Sequence, residues 1–153
     1  MNLLSDKHRG YVVGLFDGEG SCGVNKHSQS RGIPSYTVDV GIANTNKDVL
    51  IWLETSLGIG KIAPIRKQKE IHKQAWEWSL VYEEMPEFLK MVHEDSIIKQ
   101  ERIELVLEFL ETCNGQPRLK GTGHRGGQAP SIELQIKREL IYRELRVLNK
   151  RGL

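Results

Sequence analysis

Cysteine is nearly absent: Cys22 and Cys113 are the only two, far apart and without a metal-type spacing. That favours buried or free thiols over a disulfide or a zinc site. Long apolar runs are missing as well. Met1 is followed by Asn2, Leu3, Leu4, Ser5 and Asp6, with no stretch near the length of a signal segment or membrane span. The chain is therefore expected to stay inside the cell, in an organelle or the cytoplasm according to the host genome, with no membrane partner. An excess of either charge is lacking, since the net charge is only +2. What is present is 153 residues of ordinary globular composition, enough for one domain with a real core. We expect one domain over 1–153: a core over about 3–112, a basic glycine-rich loop over 114–130 and a C-terminal helix over 131–150.

The small net charge hides a segregation. Residues 61–74 hold five basic side chains against Glu70, and 114–131 hold Arg118, Lys120 and Arg125 with no acid. Residues 83–111 carry nine acids against Lys90, Lys99 and Arg102. Two basic segments and one acidic segment suit a chain that turns one side to a polyanion, although alternation between loops and helix backs is the plainer reading.

Periodicity gives an element order. Ser5 and Asp6 are cap candidates for a helix whose stripe is Tyr11, Val12, Leu15 and Phe16. Cys22 and Val24 then alternate with polar neighbours, Gly32-Ile33-Pro34 reads as a turn, and Tyr36, Val38, Val40 and Ile42 alternate with Ser35, Thr37, Asp39 and Gly41. These two runs predict an antiparallel hairpin. Asn46 caps a helix over 49–57 closed by Gly58-Ile59-Gly60. A second strand pair follows over 61–67 and 74–82, with Trp76, Trp78 and Leu80 on one face as core rather than as a base-stacking platform. Pro86 opens a helix over 87–92, a longer helix spans 96–112, and Ser131 caps the last one. The fold class is α+β, with one four-stranded antiparallel sheet.

Residues 12–20 read Val-Val-Gly-Leu-Phe-Asp-Gly-Glu-Gly. Gly14 and Gly18 are four apart, so on a helix they leave a side-chain-free strip where a second backbone can approach. Glu19 stands at the helix end, where a carboxylate can leave the helix and meet a hard divalent cation. The glycines do not make a dinucleotide or phosphate loop, because that fingerprint needs a strand before it and a helix after it, and here the order is reversed. Asp17 and Glu19 also lack the spacing and downstream glutamate of a calcium loop.

This segment resembles the motif of the LAGLIDADG homing endonucleases, with Val12-Val13 for Leu-Ala, Phe16 for Ile and Glu19 for the commoner Asp. Two further segments are similar to that family: 42–48, Ile-Ala-Asn-Thr-Asn-Lys-Asp, leading into a helix that ends Leu57-Gly58-Ile59-Gly60, and 98–101, Ile-Lys-Gln-Glu. The resemblance covers roughly 11–110. It implies an αββαββα domain plus a C-terminal helix, acting as a homodimer paired through Val13, Gly14, Asp17 and Gly18. Glu19 would bind the catalytic metal, joined by the Gly18 backbone carbonyl. Asn44 would organise water and metal, and Lys99 would stabilise developing negative charge or help activate water. Asp17 would be a helix-terminal structural acid.

The activity implied is magnesium-dependent cleavage of both strands of a long pseudo-palindromic DNA site, leaving short 3′ overhangs. Manganese would substitute, and calcium would bind without supporting cleavage. Metal ions held by carboxylates can hydrolyse a phosphodiester without a protein nucleophile. A β-ribbon fits the major groove, and period-2 alternation presents Asn25, His27, Gln29, Arg31, Ser35, Thr37 and Asp39 on one face. Lys61, Arg66, Lys67, Lys69, Lys73, Gln74 and Glu77 continue it. Lysines near loop tips suit phosphates, and Arg, Gln and Asn suit bases. His27, His72 and His124 are candidate bases in principle, but an isolated histidine there is more often a contact or solvent residue. The competing readings are an intron RNA maturase and a DNA-binding protein without cleavage, both on the same fold. The bland one is the wet face of a half-exposed sheet.

Overall fold

The computed structural model describes residues 1–28, 32–66, 73–113 and 130–151. Gln29, Arg31, Lys67, Lys69, His72, His124 and nearly all of the 114–130 segment lie outside the described residues. The elements run α1 (Asp6–Glu19), β1 (Gly20–His27), β2 (Ser35–Asn44), α2 (Lys47–Leu57), β3 (Lys61–Pro64), β4 (Trp76–Ser79), α3 (Met85–His93), α4 (Gln100–Glu111) and α5 (Ile132–Arg151). The order expected from periodicity is thus observed.

Local chemistry explains the boundaries. The Ser5 hydroxyl accepts from the His8 N–H at the start of α1, and the Asn46 side chain accepts from the Asp48 N–H at the start of α2. Each satisfies an amide that the first helical turn leaves unpaired. Gly58 ends α2 in the left-handed region at φ 66°, where glycine carries no Cβ penalty.

The sheet order is β1-β2-β4-β3, and every pair is antiparallel. Gly20 pairs with Ile42 at one end of the first ladder and His27 with Ser35 at the other. Asn44, Trp76 and Pro64 are in register at the Gly20 end. The two hairpins therefore project from opposite ends of the sheet.

One sheet face carries Cys22, Val24, Val40, Ile42 and Trp78, all buried with Val12, Phe16, Leu50, Leu53, Phe88, Ile103 and Val106 from the helices. Among the described residues the other face is open. Trp78 is fully buried, its ring edge-on to Phe88 and its Nε1–H donating to the Ile59 carbonyl at 3.0 Å. A tryptophan so placed is core. Gly60, at φ 85°, lies against that ring: a Cβ there would stand 2.1 Å from Trp78 Nε1.

One helix boundary departs from the periodicity. A helix over 96–112 is expected, but α4 begins at Gln100. Asp17 takes the Ser96 hydroxyl and the amides of Ile97 and Ile98, so the preceding turn is held by a side chain from α1 rather than by helical bonds.

Candidate catalytic centre and nucleic-acid face

The end of α1 is built from the motif residues outward. Val12 and Phe16 are buried, and the 3.6-residue period leaves Gly10, Gly14 and Gly18 on the exposed side. Val13, expected at the seam, lies between the exposed and inward sides of the helix. At 5 % exposure it belongs to the chain's own core with Val12 and Phe16. It does floor a shallow groove shared with Arg9, Gly10, Gly14, Asp17 and Ile97. A Cβ at Gly10, Gly14 or Gly18 would meet nothing within 4 Å. Gly20 differs, since a Cβ there would lie 2.3 Å from the Phe16 ring and 2.5 Å from the Phe16 carbonyl oxygen. The last glycine of the motif is thus required by packing inside the chain, whereas nothing among the described residues requires the others.

Asp17 and Lys99 close a ring of contacts at this helix end. The Asp17 carboxylate accepts from the Ser96 hydroxyl at 2.5 Å and from the Ile97 and Ile98 amides at 2.7 and 3.3 Å. Ser96 Oγ in turn accepts from the Lys99 amide at 3.2 Å, and Lys99 Nζ donates to the Asp17 carbonyl. Partial burial opposes ionisation of Asp17, but these hydrogen bonds outweigh it and hold the carboxyl below its ordinary value. For Lys99, burial lowers the ammonium pKa, and the negative charges of Asp17 and Glu19 counter it only in part. Ser96, itself buried, was not singled out from the sequence. Its only sequence signal is its place three residues before Lys99.

Glu19 is exposed at the end of α1, and among the described residues its carboxylate has no hydrogen bond or ion pair. Lys99 feels its charge, so the two sit in one neighbourhood. Asn44 ends β2 at the same end of the sheet, half-buried, and its Oδ1 accepts from the Asn46 N–H at 2.8 Å. The expected trio therefore gathers at one end of the sheet, with part of Asn44 engaged in the turn into α2.

The donor set has the chemistry of a hard-cation site in part. The Glu19 carboxylate and the neighbouring Gly18 carbonyl are oxygen donors at the negative end of a helix dipole. Among the described residues there is no group of three or more His, Cys, Asp or Glu side chains able to hold a metal. A single copy thus brings one unspent carboxylate, and further ligands would come from water, substrate phosphate or a second copy.

The open sheet face carries Asn25, His27, Ser35, Thr37, Asp39, Lys61 and Glu77, all exposed. Ser21, which sequence reading passed over, shares that face near Glu19. Asn25 Nδ2 donates to Asp39, and His27 Nε2 lies 2.9 Å from Thr37 Oγ1. Arg66 and Lys73 flank the β3–β4 connection beyond Pro64 and Trp76, at the Asn44 end, and both are exposed. Gln74 differs from its neighbours: its amide donates to the Ile65 and Ala75 carbonyls at 2.9 and 2.8 Å and closes the end of that hairpin.

This arrangement, a motif helix with a free side feeding a four-stranded antiparallel sheet with one open face, is the fold of the LAGLIDADG homing endonucleases. The archaeal intron-encoded homing endonuclease I-Vdi141I, solved complexed with DNA, superposes with a TM-score of 0.73 at 19 % identity, over 94 % of this chain and 84 % of that one. The homing endonuclease I-TnaI does so with a TM-score of 0.66 at 18 % identity, over 98 % and 96 %. I-CvuI, solved with a DNA target in 2 mM Mg and with the DNA not cleaved, gives 0.70 at 14 % identity, over 93 % and 82 %. No protein-family model and no curated protein matches the chain. The likeness is one of fold.

Proposed function

We propose that the chain is one subunit of a homodimeric, site-specific DNA endonuclease that cuts both strands of a long pseudo-palindromic site and leaves short 3′ overhangs. The observation that carries this reading is the unspent Glu19 carboxylate standing beside an anchored Lys99, at the end of a sheet whose open face is polar. The solved proteins of this fold with DNA bound support the substrate class. Structures of I-CvuI in 2 mM Mg and in 2 mM Ca support a divalent cation.

Pairing of two copies has its own support. Glycine in a helix interior costs about 0.5–1 kcal/mol relative to alanine. Gly10, Gly14 and Gly18 bear that cost with no neighbour among the described residues to demand it. Beside them, Ile97 and Ile98 are 89 % and 74 % exposed. A second α1 packed along the strip would accept close backbones and cover that apolar surface. The two Glu19 carboxylates would then meet near the axis.

Glu19 and the Gly18 carbonyl would hold magnesium, with manganese as a substitute and calcium binding without cleavage. When bound, the ion renders water more acidic and neutralises the leaving 3′ oxygen. The chain's own groups do the rest. Lys99 places positive charge where the phosphoryl group gains negative charge, Asn44 orients water, and Asp17 holds the Lys99 segment in place. The open-face residues seat the major groove, with Asn25, His27, Thr37 and Asp39 at base edges and Lys61, Arg66 and Lys73 at phosphates.

The test uses duplex DNA carrying the uninterrupted insertion site of the chain's own intron, with magnesium, and maps both cut strands. Glu19→Gln is expected to abolish cleavage while DNA binding persists. Undiminished magnesium-dependent cleavage by that variant would remove Glu19 from the mechanism. A wild-type chain that binds the duplex but never cuts it would make it a non-cleaving binder.

A further inference from the structure

Helices α4 and α5 separate their charges. On their outer side Glu101, Glu104, Glu108 and Glu144 line one groove. On the side of the sheet edge, Arg102 and Arg146 line another, together with Ser21, Asn25, Asp39 and Asn149. The other described basic side chains of these helices are engaged. Lys137 pairs with Glu108 at 3.0 Å, Arg143 with Glu139 at 2.9 Å, and Arg138 donates to the Thr112 carbonyl at 2.8 Å. Arg102 and Arg146 have no ion pair or hydrogen bond among the described residues, and Arg102 is half-buried. A guanidinium partly withdrawn from water and left without an anion is costly. Asp39 is the carboxylate in the groove, and Asn25 already engages it. Two cations from two helices therefore converge on one groove whose single carboxylate, Asp39, forms an ion pair with neither.

The groove's position says which anion fits. It runs along β1, the edge strand, and its residues Ser21, Asn25 and Asp39 also belong to the open face. Arg102 lies one helical turn beyond Lys99 and acts on the charge of both Lys99 and Cys22. The groove is thus continuous with the proposed reading face on one side and with the Glu19 end on the other.

We infer that Arg102 and Arg146, with Asn149 as a neutral donor, form a phosphate clamp that grips the backbone of the bound DNA strand beside the cleavage centre. This rests on the nuclease reading above and adds a site to it. The guanidinium fork suits phosphate oxygens, and the contact fixes register without reading sequence. Arg102 differs from its neighbour Lys99 in role: it holds a phosphate of the strand, whereas Lys99 serves the reacting one.

The experiment is a salt titration of duplex affinity by fluorescence anisotropy, in calcium, with the full chain. Arg102→Gln and Arg146→Gln are compared with Lys137→Gln, whose pair lies on the outer side. Each phosphate contact contributes a slope of about 0.9 in log affinity against log salt. In the homodimer each substitution removes one contact per subunit, so each arginine variant is expected to lower the slope by about two and the double variant by about four, equally on target and unrelated duplex. Lys137→Gln leaves the slope unchanged. Replacement of both arginines by lysine keeps most of the slope. An unchanged slope in a folded double variant overturns the clamp while leaving the nuclease reading intact. A loss confined to the target sequence also overturns it, by making the arginines base readers. Absence of duplex binding by the wild-type chain at any salt overturns both. If inorganic phosphate competes with the duplex far more strongly than sulfate does at equal ionic strength, the groove is a free-phosphate site and the DNA clamp falls.

Discussion

Among single residues, the sharpest distinction lies between groups that would touch DNA and groups that hold them there. Glu19 and Lys99 have side chains at the end of the molecule proposed to be reactive. Ser96 acts through Lys99, because its hydroxyl donates to Asp17 and accepts from the Lys99 amide. Lys99→Met is expected to slow cleavage by about 10²–10³-fold, the range for loss of one charge-stabilising group, with little change in affinity. Ser96→Ala removes a hydrogen bond to a charged group, costing about 1.5–3 kcal/mol of stability, and lowers kcat while KM stays near wild type. Ser96→Thr keeps the hydroxyl and should restore kcat. Single-turnover kinetics beside thermal melts separate these outcomes. A kcat for folded Ser96→Ala equal to wild type would make the ring of contacts purely structural.

At the level of elements, α5 is tied to the sheet by one carboxylate. Glu139 accepts from Lys26 Nζ and from the Tyr36 hydroxyl, each at 2.7 Å, and from Arg143 Nε at 2.9 Å. Lys26, then Tyr36, draw its pKa down from 4.5 to about 2, and burial with the Glu139 charge raises Tyr36 to about 12. A carboxyl with a depressed folded value stabilises the folded state above its unfolded value, and that contribution is lost as pH falls through the folded value. Docking of α5 is therefore expected to weaken as pH drops from about 4.5 towards 2. Hydrogen exchange of α5 amides should rise over that window, and Glu139→Gln should remove most of the dependence. A wild-type profile flat across it would deny Glu139 that role.

For the whole molecule, the glycines of α1 divide the stability of one chain from the association of two. Gly14→Ala meets no atom within 4 Å among the described residues. It should raise the stability of the isolated subunit by about 0.5–1 kcal/mol, while intruding on the close approach of two helices. Sedimentation at a series of concentrations should show weaker dimerisation and melts at low concentration should show a higher Tm. A dimer of unchanged affinity would move the interface away from α1. Gly20 could not serve in that experiment, since a Cβ there collides with Phe16.

Much of this protein was legible from local pattern. Alternation at Cys22 and Val24 and again over Tyr36 to Ile42, the Asn46 cap and the Gly58 terminus are consequences of period and backbone geometry that neighbouring residues dictate. The motif likewise brought out Glu19, and the segments around Asn44 and Lys99 could be named beside it. Tertiary structure decided what depends on residues distant in the chain. It began α4 only at Gln100 because Asp17 captures the turn before it, put Val13 in the core, and spent Gln74 on backbone carbonyls. It also set Arg102 and Arg146 in one groove from helices whose sequences show only mixed charge. Periodicity assigns a side chain to a face, but hydrogen bonds and ion pairs form at about 3 Å, and only the folded chain brings such partners within that reach.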